Sequence, residues 1–172
     1  MEPLLHAIIP LIFLLAIFPK LDKNYIFLLL PIVWLIDLDT YFGVHRLYLH
    51  NIVFVLLVAG FVYWRWNNTA GFVALYYGAS HLILDLAYPG VALFYPLVEK
   101  CYYVTASIQR ASTWLVDFSV GTVSKEEILY NIVMQDSMNY FSESSFILIL
   151  LLLVLVVIKY RNKIKKVFVK KS

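Results

Sequence analysis

The sequence predicts an all-α integral membrane protein: about five transmembrane helices and a small extracytoplasmic segment holding a β-hairpin and an amphipathic helix. Three observations lead there. Of 172 residues, 62% are hydrophobic and 15% charged, against about 45–50% and about 25% in soluble domains. Apolar runs recur at about 3–18, 24–38, 52–66, 71–87 and 144–160. Lys and Arg are distributed unevenly between the connections, as they are in membrane proteins.

The first run lacks a basic n-region and an A-x-A-like cleavage site, so it reads as a first membrane helix that stays rather than a signal peptide. A spanning helix needs about 20 residues. Several runs are shorter, and must recruit flanking residues, tilt or thin the bilayer; four spans is the alternative count. The last run, strictly Phe146–Ile158, is the shortest, but its Leu/Val/Ile density and basic flank favour a span. Between Tyr88 and Ser142 the chain is more polar. Residues 101–109 and 113–120 are rich in aromatic and β-branched types, which predicts a hairpin. Ser124-Lys125-Glu126-Glu127 has the capping-box pattern and should start an amphipathic helix over about 125–138. The organisation is one membrane domain over 1–172: helices and loops of a polar site in 1–97, an extracytoplasmic insert at 98–142, and a last helix with a basic tail at 143–172.

The tail carries Lys159, Arg161, Lys163, Lys165, Lys166, Lys170 and Lys171 and should be cytoplasmic. Counting back through five spans puts Lys20, Lys23 and Arg65 on the same side. It leaves His6, the 37–50 loop and the end of the fourth run on the extracytoplasmic side. The sequon at Asn67 then faces the cytoplasm and is discounted. The single Cys101 excludes an intramolecular disulfide and any multi-cysteine metal site. The net charge of +3 is modest, and no nucleic-acid partner is expected.

The residues that can carry chemistry lie at one membrane level. His81 and Asp85 stand four apart, which on a helix places them on one face a turn apart. An ionisable pair in an apolar run needs a partner such as a metal, a proton path or a counter-charge, and Pro89-Gly90 stops the helix just beyond. Asp37 and Asp39 are separated by one residue; on a regular helix they diverge, so both reach one site only where the helix ends. His45 and His50 suit a loop, and Arg46 between them has the fork that matches carboxylate or phosphate. His6 is near the start of the first run. Each motif alone has a bland reading: interfacial caps, snorkelling side chains, a satisfied His–Asp hydrogen bond. Together, all four histidines and three aspartates meet at one face, a mixed donor set that suits zinc, manganese or iron as one or two ions.

The order His6, then Asp37-x-Asp39, then His45-Arg46 with His50, then Ser80-His81 with Asp85 and Pro89-Gly90-Val91, resembles the YdjM-like membrane-bound metal-dependent hydrolases over about residues 1–97. Ile36, Leu47, Leu49 and Asn51 stand where that family usually has a proline and small or hydroxyl residues. The resemblance implies a multi-span helical protein with a metal site and a lipid or phosphoester substrate. The reading is therefore a membrane-embedded metal-dependent hydrolase in the cell membrane, acting at the extracytoplasmic interface on a lipid-like ester or phosphoester. His6, Asp37, Asp39, His45, His50, His81 and Asp85 are the candidate metal ligands, zinc first. Asp39 is the expected proton acceptor, and Arg46 the group that neutralises a developing oxyanion. A non-catalytic metal carrier or transporter is the alternative. A bis-His haem protein or a purely structural membrane protein explains less.

Overall fold

The computed structural model describes residues 3–42, 45–87, 89–110 and 114–128. Helix α1 (Pro3–Ile17) is followed by α2 (Lys23–Leu28), whose first turn is capped by Asp22, its side chain accepting from the Asn24 amide at 2.9 Å. Pro31 precedes α3 (Ile32–Leu35), a 3₁₀ turn (Ile36–Leu38) and the single turn α4 (Asp39–Phe42). Asn51 and Asn67 cap the two long helices α5 (Ile52–Arg65) and α6 (Asn68–Asp85), each accepting from the amide three residues on.

Helix α6 is the hub, packing against α1, α2, α3 and α5. Its inward face is lined by small residues and by Tyr77, which is fully buried and donates to the Ile26 carbonyl at 2.8 Å. A Cβ at Gly78 would stand 2.7 Å from Val55 Cγ1, so the close α5–α6 approach depends on the absence of a side chain there. Leu14, Ile26, Val33, Val62, Val73 and Tyr77 form the main core. The outward faces stay apolar: Phe13, Phe27, Leu56, Leu57, Phe61 and Trp64 are all exposed.

Strands β1 (Lys100–Arg110) and β2 (Trp114–Ser124) pair antiparallel, in register from Lys100↔Ser124 to Arg110↔Trp114. This is the hairpin expected at 101–109 and 113–120, driven by the same aromatic and β-branched content. Its base is tied to the helices. The Val104 amide donates to Leu86 O at 2.7 Å, Val91 bridges Tyr102, and Cys101 and Val123 pack on Leu47 and Ala92. Gly90, at φ +91, passes so close to the Tyr102 carbonyl that no side chain fits. The Ser124 hydroxyl accepts from Glu127 N at 3.2 Å and starts a helical turn at 125–128. The rest of the expected amphipathic helix, the fifth apolar run and the basic tail lie outside the described residues.

The expected all-α fold of about five transmembrane helices is overturned. Two 11-residue strands make the chain a mixed structure. Among the described residues only the helical segment Lys23–Tyr41, 19 residues from α2 into α4, is long and apolar enough to cross a bilayer. The helices are about as short as the apolar runs that form them. Helices α1 and α5 have 15 and 14 residues, about 21–22 Å at 1.5 Å per residue, short of a hydrocarbon core of about 30 Å. Helix α6 has 18 residues, but its polar and small positions keep it out of the apolar class. Flanking residues do not extend α1 and α5 to span length, because Asn51 fixes the start of α5 while Asp22 and Asn67 start new helices just beyond the ends of α1 and α5.

Candidate metal centre

Three local features of the backbone build the site. The 3₁₀ turn at Ile36–Leu38 brings the Asp37 and Asp39 directions from about 160° apart, as on an α-helix, to about 120°, so both reach the 45–50 loop. That loop reverses at Arg46, whose φ of 71° lies in the left-handed region that non-glycine residues seldom occupy. The turn is held by Arg46 N donating to Asp39 Oδ2 at 3.1 Å and by Ala92 N donating to Arg46 O at 3.2 Å. Asn51 closes the loop, donating to Tyr48 O at 2.6 Å while capping α5, so His50 is fixed immediately before a helix start. Helix α6 supplies His81 and Asp85 one turn apart, as its spacing predicts.

All eight residues singled out in the sequence join one connected cluster. Four atoms converge: His50 Nε2, His81 Nε2, Asp37 Oδ1 and Asp85 Oδ2. The two imidazole nitrogens are 3.2 Å apart. His50 Nε2 is 3.5 Å from Asp37 Oδ1 and 3.2 Å from Asp85 Oδ2. His81 Nε2 is 3.4 and 3.2 Å from the same two oxygens. These five distances are close to the roughly 3.3–3.4 Å that separates donors around a tetrahedral ion with bonds of about 2.0–2.1 Å, as in zinc sites. These four residues could hold a metal ion, all four ligand atoms lying within 4.8 Å of one another.

Donor accounting supports the same fit. His50 Nδ1 donates to Asp39 Oδ2 at 2.7 Å, so in the neutral ring Nε2 carries a lone pair. With both rings neutral, at most one proton, on His81 Nε2, serves four converging atoms, and only added ring protons or a cation make up the shortfall. His81 Nδ1 and Asp37 Oδ2 are buried without a hydrogen-bond partner. Three carboxylates face one guanidinium here, leaving two negative charges for a divalent cation to balance. In the metal-free protein the proton fills that need in part. Burial opposes a charged His50 ring, but its hydrogen bonds to Asp37, Asp39 and Asp85 outweigh it and raise its pKa to about 10.

The second group, Asp39, His45 and His50, also comes within metal-binding distance, but it is differently satisfied. Asp39 is fully buried. Its Oδ2 accepts from His50 Nδ1 and Arg46 N, and its Oδ1 is 3.2 Å from His45 Nδ1. His45 Nδ1 also meets Thr40 Oγ1 at 3.2 Å. His6 Nε2 and Arg46 Nη2 lie 3.1 and 3.2 Å from Asp85 Oδ1, the oxygen turned away from the four-atom cluster. His6 also stacks on His81 with ring centroids 4.3 Å apart. Sequence reasoning missed Asn51 and Thr40. An Asn directly before an apolar run is a helix-start signal, and it was available for Asn51; nothing in the local sequence marks Thr40.

The chain matches the model of the family described as YdjM inner membrane protein over residues 2–162, and it belongs to that family. No curated protein and no solved structure matches it.

Proposed function

We propose that this YdjM inner membrane protein family member is a metal-dependent hydrolase. Asp37, His50, His81 and Asp85 bind one divalent transition metal, zinc first and manganese or iron as alternates, and the substrate is a lipid-like ester or phosphoester at the membrane interface. The observation that carries the reading is the convergence of four lone-pair atoms at 3.2–3.5 Å. Two imidazoles among them favour transition metals over calcium or magnesium. A bound ion would supply Lewis acidity and a water acidified to a pKa of about 7.

The chain's own residues divide the remaining work. Asp37 is the one ligand with appreciable solvent access, at 21% side-chain exposure, so water and substrate reach the centre from its side. Its unpartnered Oδ2 is the proton acceptor in this reading. Asp39, with both oxygens engaged, holds His50 in the tautomer that leaves Nε2 free. Arg46 is committed to Asp85, and Asp85 fixes its own geometry through that contact.

The interfacial substrate rests on where the site falls along the apolar belt. His50 directly precedes α5, and Trp64 and Trp66 stand at its far end, about 21 Å away at 1.5 Å per residue. The site is thus at one end of the belt, where a headgroup can enter while acyl chains stay in lipid. Lys20, Lys23 and Arg65 gather at the opposite end, where Asn67 Nδ2 donates to Tyr25 OH at 2.7 Å. The one candidate span, Lys23–Tyr41, runs from this basic end to the Asp37 and Asp39 end, so by the positive-inside rule the basic end is cytoplasmic and the site extracytoplasmic.

A second reading has one observation in its favour. Four protein ligands can fill a tetrahedral ion completely, as in structural zinc sites, and the protein would then bind metal without turnover. Elemental analysis of detergent-purified wild type and His81→Ala, followed by assay on phosphoester and carboxyester lipids, separates the two. The hydrolase reading expects about one metal per chain, lost in the variant, with hydrolysis that tracks metal. Stoichiometric metal without hydrolysis of any lipid in the panel supports the structural site, and a metal-free wild type removes both.

A further inference from the structure

We infer that His6 and Arg46 form a clamp that restricts Asp85 to one coordinating oxygen, and that the clamp makes helix α1 part of the metal centre although α1 supplies no ligand. The inference rests on the metal-binding reading above.

The two oxygens of Asp85 face opposite chemistry. Oδ2 is 3.2 Å from both His50 Nε2 and His81 Nε2. Oδ1 is turned to His6 Nε2 at 3.1 Å and Arg46 Nη2 at 3.2 Å. Arginine stays charged, so a positive charge lies within ion-pair distance of Oδ1 whatever the protonation of His6. Asp85 is 1% exposed and His6 is 2% exposed, so water does not compete for the carboxylate.

Arg46 is itself immobilised. Its Nη1 donates to Ala87 O at 3.4 Å, just past the end of α6, and its backbone is pinned at φ 71° by Asp39 and Ala92. His6 arrives from the opposite direction, on α1, and stacks on the His81 ring with 28° between planes. One side chain of α1 therefore touches both ligands that α6 provides. Its Nε2 lies on the Oδ1 side, outside the four converging atoms, so His6 positions ligands and does not become one. A carboxylate that loses either partner is freer to turn and chelate through both oxygens, raising the coordination number.

The test uses full-length protein in detergent loaded with cobalt(II), comparing wild type with His6→Leu, His6→Gln, Arg46→Met and Arg46→Lys. Affinity is read by chelator competition, and coordination by the visible spectrum and X-ray absorption. The clamp predicts that His6→Leu and Arg46→Met weaken binding by about 10–100-fold. Both should add an oxygen neighbour at the metal and lower the intensity of the four-coordinate visible bands. His6→Gln and Arg46→Lys keep a donor near Oδ1 and should recover much of the affinity and the spectrum, a rescue that general misfolding does not give. Wild-type uptake with unchanged affinity and spectra in His6→Leu and Arg46→Met overturns the clamp alone. So does loss of a nitrogen neighbour in His6→Leu, which would make His6 a ligand. A wild type that takes up no metal overturns the metal reading, and the clamp with it.

Discussion

His50 has two faces, and the groups around them differ although their residue types are the same. On its Nδ1 side, Asp39, His45, Thr40 and the Arg46 amide form a network in which donors meet acceptors at 2.7–3.2 Å. On its Nε2 side, Asp37, His81 and Asp85 bring ring nitrogens and carboxylate oxygens together at 3.2–3.5 Å, and with neutral rings these lack the protons to share. Composition alone cannot separate a hydrogen-bonded His/Asp network from a metal site; counting protons does. The first group is complete as it stands, and the second is complete with a cation. A buried polar cluster left short of donors is costly, which is why the Nε2 side is assigned the metal.

The largest expected effect breaks the Nε2 side directly. His81→Ala removes a ligand and should abolish stoichiometric metal uptake. Asp39→Asn and His45→Ala disturb only the Nδ1 side, and each should leave metal bound, about 10–100-fold more weakly, as when a group that orients a ligand is lost. Elemental analysis and chelator competition on the three variants rank them. Complete loss in Asp39→Asn and His45→Ala, with metal retained in His81→Ala, would place the ion between Asp39, His45 and His50 instead.

Next in size is a pH effect whose sign depends on the same division. His50 has a pKa of about 10 in the folded metal-free protein, against an ordinary 6.5. Its proton therefore stabilises the metal-free fold fully below about 6.5, and that contribution is lost as pH rises through about 10. Metal requires the neutral ring, so binding releases a proton and affinity should rise across the same window. Apparent melting temperature in detergent, followed between these limits, should fall for the metal-free protein and hold for the loaded one. Parallel slopes would take His50 out of the ligand set.

Much of the site was legible in the sequence because spacing carries it. His81 and Asp85 had to share a helical face, and His45 and His50 suited a loop. The meeting of all four histidines at one level survived even though the five-span count that suggested it did not. It survived because α1 and α5 both start at the site while α6 and the 37–39 turn end there, whether or not each helix crosses a bilayer. What was not legible depends on single backbone angles and on contacts distant in sequence. Asp37 and Asp39 look equivalent until the 3₁₀ turn and the φ of Arg46 send one to the ligand cluster and the other to the Nδ1 network. Arg46 read as a free anion anchor because its partner, Asp85, is 39 positions away. The lengthening of the runs by flanking residues failed because Asn51 and Asn67 start new helices at the run edges.

The smallest effect tests whether His50 depends on its loop or only on overall stability. Asn51 and Asn67 are matched caps. Each accepts from the amide three residues on, at 2.8 and 3.0 Å, and each donates its Nδ2 to a second group, Tyr48 O or Tyr25 OH. Replacing either by Ala should cost about 1 kcal/mol of stability. They differ in place: Asn51 adjoins His50, while Asn67 is at the far end of α6. Asn51→Ala should therefore weaken metal binding a few-fold by loosening the loop, and Asn67→Ala should leave it unchanged at the same loss of melting temperature. If the two variants lose affinity equally, binding follows global stability and the loop has no separate role. If neither does, His50 is held by Asp39 alone, and the Nδ1 network carries the whole burden of orienting the ligand.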